Sequence, residues 1–323
     1  MGGLTSSLQT ASTALAAFSQ ALGVDQTNIA NASTPGYAAQ QASINPIGSF
    51  GPGGANADLV TITSSGSAFA DATVQAASSQ ASHSQTQAQQ LSQVNQLFDI
   101  TGTSGILAAF QQFSTAFSNL SINPNDPTLG AAALNAAGNV ASAFQSVTAS
   151  LDTQSNQIAS GIQSATTQIN TLAANIQQLN VQASTGSPND PTVQASLRSD
   201  LDQLSSLVDI TVTPASNGTV SVLAGGQLPL VIGNQAYTLS VNPAAAPGSQ
   251  VTSSAGGNSP ASFTGQLGGL LDTQNGTIAQ LLGGNGQTGT LNTLAAGFAS
   301  SVNSLLTSGV TASGNPPVPI LYL

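Results

Sequence analysis

The sequence predicts a mainly α protein: an elongated helical bundle or coiled-coil rod carrying a smaller antiparallel β part as an inserted meander. Three observations carry that expectation. Phe144, Leu151, Ile158, Ile162, Ala165, Ile169, Leu172, Ile176, Leu179 and Ala183 keep one spacing of three and four, with Thr148 and Ser155 as polar insertions. Such a stripe is the seam of a helix lying along other helices. Asp126-Pro127 and Asp190-Pro191, inside near-identical Pro-Asn-Asp-Pro-Thr runs, each set a capping carboxylate before a proline at the first helical position. Period-two runs at 210–213, 219–222, 228–232 and 237–241 are separated by Asn217-Gly218, Gly225-Gly226 and Gly233-Asn234, which are hairpin turn dipeptides.

The elements follow in order. Leu4, Leu8, Ala11, Leu15, Phe18, Leu22 and Ile29 form a heptad seam at the N-terminus, interrupted only by Asp25. Asn28 and Asn31, then Thr34, Pro35, Gly36 and Tyr37, stop that helix. Pro35 drives Thr34 out of the helical region, and Gly36 supplies positive φ. A Gly-, Pro- and Asn-rich connector runs to about Asp58, and the alternation Leu59–Thr63 reads as a strand. An Ala/Gln/Ser-rich helix covers about Phe69 to Phe98. A second helix follows Gly102, with Leu107, Phe110, Phe113, Phe117 and Leu120 on one core-facing stripe.

From Thr128 to Ala183 one helix would be roughly 80 Å long at 1.5 Å per residue, a length that suits a rod rather than a compact core. Val193, Leu197, Leu201, Leu204 and Val208 mark a shorter helix before the meander, and Pro243–Pro260 reads as a structureless connector. Helical spacing returns from Gly265 through Leu267, Leu270, Leu271, Ile278, Leu281, Leu291, Leu294, Phe298, Val302 and Leu305. Gly314–Leu323 then reads as extended.

Charge is the outlying feature of the composition. Among 323 residues there are eleven Asp, no Glu, no Lys, one Arg (Arg198) and one His (His83), a net charge of −10. One cation cannot neutralise a row of phosphates, so nucleic-acid binding and attraction to anionic lipid are excluded. Apolar residues are 40% of the chain and periodic, unlike those of a disordered chain. Cysteine is absent, which removes disulfides and thiolate metal sites. No run approaches the roughly 18–20 apolar residues of a membrane span. Met1-Gly2-Gly3-Leu4 lacks the basic region of a cleavable signal, so none is expected.

Catalytic material is equally sparse, and no catalytic, cofactor-binding or metal-binding residue is expected. His83 lies in an Ala/Ser/Gln helix and reads as an exposed polar position, since a base needs a nucleophile and an orienting carboxylate. Asp200 and Asp202 point to different helix faces, and with Arg198 they read as a solvated surface. Gly283-Gly284-Asn285-Gly286 and Gly51-Pro52-Gly53-Gly54 lack the Lys or the strand–helix setting of a phosphate loop and read as linkers.

Asn28 to Tyr37, behind a heptad helix at the start of the chain, resembles the N-terminal segment of the flagellar rod, hook and hook-associated proteins. That family carries an Ala-Asn-x-x-Thr-Pro-Gly-Tyr run, matched here by Ala30–Tyr37. Gly105–Pro127, Ser187–Val212, Thr264–Leu271, Leu294–Phe298 and Val302-Asn303 are similar, in order, to the junction-forming hook-associated members. Two departures stand out: Ala39-Gln40 replaces the family's Arg-Gln, and the sequence stops at Leu323, before the closing helix that pairs with the N-terminal one.

The resemblance implies a structural, non-enzymatic subunit of the hook–filament junction. It implies an extracellular location on the bacterial flagellum, reached without a cleaved signal and assembled by helix–helix packing. Implied partners are other axial subunits (self, hook protein, the second junction protein), the export apparatus and an export chaperone. The expected organisation is an N-terminal heptad helix and turn at 1–37, a rod domain at 38–208, a β-rich region at 209–262, and return helices with a tail at 263–323. Leu4, Leu8, Leu15, Phe18, Leu22 and Ile29 would form the assembly seam. Two alternatives stay open on the residues alone: a shortened, non-assembling homologue, and an extracellular low-charge surface or adhesin-like protein.

Overall fold

A computed structural model describes residues 2–34, 36–47, 57–64, 66–98, 103–186, 190–242, 250–256, 262–284 and 287–307. Pro35, the Gly51–Gly54 run and the tail after Thr307 lie outside the described residues. The elements run α1 (Gly2–Ala30), β1 (Gln40–Ile47), β2 (Ala57–Ser64), α2 (Ala68–Gln96), α3 (Gly105–Ile122), α4 (Pro127–Thr185) and α5 (Pro191–Leu207). Then come β3 (Ile210–Pro214), β4 (Val220–Ala224), β5 (Leu228–Ile232), β6 (Gln235–Ala236), β7 (Leu239–Asn242) and β8 (Gln250–Ser253). The series ends with α6 (Gly265–Asp272), a π-helical turn (Thr273–Ile278), α7 (Ala279–Leu282), β9 (Gly283–Gly284), β10 (Gln287–Thr288) and α8 (Thr290–Thr307).

The 59-residue α4 is the spine. Asp126 caps its start, accepting from the amides of Thr128 at 2.8 Å and Leu129 at 3.4 Å, and Asp190 does the same for α5 through Thr192 and Val193. The buried line of α4 runs Val140, Phe144, Val147, Leu151, Gln154, Ile158, Ile162, Ala165, Ile169, Ala173, Ile176, Asn180 and Ala183. Thr148 and Ser155, the polar insertions of the sequence pattern, turn partly outward, and Val147 and Gln154 take the buried places. Gln154 is satisfied there by donating to Gln90 Oε1 at 2.8 Å and Gln93 Oε1 at 2.7 Å, both on α2.

An aromatic cluster joins α3, α4 and α8. Phe110 on α3 stands edge-on to Phe144 on α4 and to Phe298 on α8, and Phe113 meets Phe298 at 5.2 Å. Toward the C-terminal end of α4 the antiparallel sheet β3-β4-β5-β6 lies on the spine, burying Val222, Ala224, Leu228, Leu230 and Val231.

Side-chain amides replace ion pairs at the helix–sheet joints. Asn180 accepts from Val220 N at 2.9 Å and donates to Val220 O at 2.7 Å and Gly233 O at 2.6 Å. Asn170 accepts from Leu239 N at 2.7 Å and donates to Leu239 O at 2.9 Å. In both, the carboxamide pairs with one strand residue's N–H and C=O as a neighbouring strand would. A buried polar group so satisfied costs the fold little.

Five expectations need correction. The connector after Tyr37 contains a strand: β1 pairs antiparallel with β2, Gln40 opposite Ser64 and Ile47 opposite Ala57. The fourth strand of the meander shrinks to Gln235-Ala236, and Leu239–Asn242 instead pairs with β8, inside the segment expected to be structureless. Alternation marks a strand but cannot name its partner. Gly283-Gly284 is not a free linker, since it pairs with Gln287-Thr288. His83 is not exposed: its side chain is 12% accessible, and Nε2 lies 3.3 Å from Asp272 Oδ2 on α6. Arg198 pairs with Asp71 on α2, Nε to Oδ2 3.4 Å, rather than standing with Asp200 on a solvated face.

Candidate functional site

The N-terminal helix has two apolar faces, and among the described residues only one is packed against the rest of the chain. Small residues Ala14, Ala17, Ala21 and Val24 recur every three or four positions and turn inward, Ala17 being 4% and Val24 6% exposed. They pack on the β1–β2 hairpin, whose Ala42, Ile44, Val60 and Ile62 are partly buried and paired across the two strands. Small side chains let the helix axis approach the hairpin closely. The heptad seam faces the other way. Leu8 is 73% exposed, Leu15 68%, Phe18 64%, Leu22 58% and Ile29 77%. Leu4 belongs to α1, but its side chain is outside the described residues. Five large side chains in one exposed line on one helix exceed the scattered apolar exposure of an ordinary surface.

The turn after the helix is built by the motif residues. Asn28 accepts from Gln40 N at 2.8 Å, donates to Gln40 O at 2.8 Å and accepts from the Tyr37 hydroxyl at 2.7 Å. This is the same clasp that Asn170 and Asn180 make, and it ties the last turn of α1 to the first residue of β1. Asn31 donates to Thr27 O at 3.0 Å and accepts from the Thr34 hydroxyl at 3.3 Å. Thr34 N donates to Asn31 O, and Tyr37 N to Thr34 O. Gly36 has φ +77°, and a Cβ there would stand 2.7 Å from Ala195 O and 3.2 Å from Ser199 N on α5. The turn therefore needs glycine twice, for its conformation and for its contact with the rod.

The structure brings Asn28, Asn31, Thr34, Gly36 and Tyr37 together and holds the seam residues apart from them on the outer face. The inner face and Gln40 were missed by sequence reasoning. The Ala14-Ala17-Ala21-Val24-Asn28 spacing was the available signal, outweighed by larger side chains at the same period. Burial pushes the Asp200 carboxyl on α5 above its ordinary value. Among the described residues no three potential ligands cluster to hold a metal, and no helix is long and apolar enough to cross a membrane.

Residues 91–320 match the family model of the flagellar hook-associated protein FlgK helical domain. The chain belongs to the FlgK family. Residues 8–37, which contain the exposed seam and the turn, match a second model, that of the flagella basal body rod protein. Among solved structures, the flagellar hook junction protein FlgK from Burkholderia pseudomallei is similar over 77% of this chain, at 30% identity and a TM-score of 0.65. The chain spans 46% of the length of that FlgK. No curated protein matches at the sequence level. FlgK is a structural flagellar family.

Proposed function

We propose that the chain is a structural subunit of the flagellar axis at the hook–filament junction, and that the outer face of α1 is its assembly surface. The exposed line Leu8, Leu15, Phe18, Leu22 and Ile29 carries this reading. Each such side chain is worth about 1.5–3 kcal/mol when buried, so five of them make a strong helix–helix contact. The occupant is a seamed helix of a neighbouring axial subunit, in the geometry of a coiled coil. We take residues 2–64, rather than 1–37, as the assembly unit, because β1 and β2 pack on α1. The segments 65–208, 209–262 and 263–307 then form the rod, its β-rich cap and the returning helices.

Neighbours in this reading are further copies of the chain, the hook protein and the second junction protein. Delivery is through the flagellar export apparatus with an export chaperone, to an extracellular site and without signal cleavage. No catalysis is assigned to the chain. Leu15→Asp tests the reading in cells lacking their own junction subunit. A charge buried unpaired in the seam should abolish incorporation while the helical signal and melting of the purified rod stay unchanged. Normal incorporation of Leu15→Asp would refute it.

A further inference from the structure

α1, β1 and β2 pack chiefly on one another rather than on the rod. Two close approaches among the described residues join this unit to the rest of the chain: the Gly36 turn, which lies on α5, and the crossing from β2 to α2 through Gly66. Both meet at one side chain. A Cβ on Gly36 would lie 3.4 Å from Arg198 Cβ, and a Cβ on Gly66 would lie 2.5 Å from Arg198 Nη2 and 3.3 Å from Ala38 Cβ. Arg198 Nε also reaches Asp71 Oδ2 at 3.4 Å, in the first turn of α2, the helix into which the crossing leads. Its side chain thus starts beside the turn, passes under the crossing and ends on the rod. It is the sole Arg in a chain without Lys, so no other Lys or Arg can take its place at Asp71.

We propose that Arg198 is a latch that fixes the angle between the N-terminal unit and the rod, and so the direction in which the α1 stripe is presented. The planar guanidinium occupies the space that any side chain at position 66 would need, and its charge holds Asp71. Without it, the crossing and the turn lose their common support, while the rod keeps its core on α4. Arg198 is a positioning residue. The inference concerns the geometry of the monomer, so it stands or falls separately from the assembly reading.

The chain has no cysteine, so Gln26→Cys on α1 and Ser84→Cys on α2, both exposed, accept two spin labels without background. Pulsed electron–electron distance measurement on the purified, doubly labelled chain should give one narrow population. Arg198→Met should at least double its width with the helical signal unchanged, and Arg198→Lys should fall between the two. A parent distribution already as broad as that of Arg198→Met, or an Arg198→Met distribution with the parent's width and mean, overturns the latch. Should Arg198→Met lose its helical signal, Gly66→Leu carries the test: its side chain presses on the guanidinium and should shift the mean distance, and an unshifted mean overturns the proposal.

Discussion

Replacing Asn180 by Leu should destabilise the rod far more than any exposed substitution, although the two side chains share the same branching and number of non-hydrogen atoms. Asn180 is fully buried and holds three backbone groups: Val220 N, Val220 O and Gly233 O, at 2.6–2.9 Å. Leu supplies neither donor nor acceptor, so all three lose this partner at a half-buried joint. At about 1–3 kcal/mol for each unsatisfied group, with partial relaxation, the loss comes to about 3–6 kcal/mol. Guanidinium unfolding followed by circular dichroism measures it, and hydrogen exchange at the Val220 amide reads the local effect. Asn180→Asp separates hydrogen bonding from packing: its carboxylate can still accept from Val220 N but meets two carbonyl oxygens. Its loss should therefore be larger at pH 7 than under conditions that protonate it. A loss below about 1 kcal/mol for Asn180→Leu would refute the claim that amide clasps hold the sheet to the spine.

Three further outcomes follow from the same geometry. Gly36→Ala should lower the melting temperature and speed proteolysis at the turn, because the new Cβ meets Ala195 O at a backbone with φ +77°; unchanged cleavage would remove the close-contact argument. Asp126→Ala and Asp190→Ala should each cost about 1 kcal/mol in unfolding measurements, the worth of one helix cap. Asp200→Asn should raise the melting temperature at pH 7, because a carboxyl whose folded value is raised by burial weighs against the folded state when ionised. That advantage should shrink as pH falls through the raised value and vanish below the ordinary 3.8.

Much of the fold was legible because it is long and periodic. The α4 spine, its Asp-Pro start and that of α5 announce themselves in residue types that have few other uses. Partners were harder to read. The alternation in Tyr237–Val241 predicts a strand, yet only Leu239–Asn242 pairs, and it pairs with Gln250–Ser253, whose short Gln-Val-Thr-Ser run carries almost no pattern. Gln40–Ile47 was hidden by Pro46, which sits near the end of an edge strand, where a missing N–H is tolerated. The candidate site was half legible. Large side chains at heptad spacing revealed the outer face of α1, whereas the alanine face that docks the hairpin has too little contrast to stand out. His83 and Arg198 were misplaced for a shared reason: one-dimensional neighbours are polar and small, and the elements that cover them come from elsewhere in the chain.

The central claim is that the outer face of α1 is open in the free subunit and covered in the axis. Leu15→Cys gives the one thiol needed to test it, with exposed Ser164→Cys on α4 as the control. Maleimide labelling of each variant, first as purified monomer and then within isolated flagella, should show Cys at position 15 reacting only in the monomer and Cys at position 164 reacting in both. Equal labelling at position 15 in the two states would contradict the account.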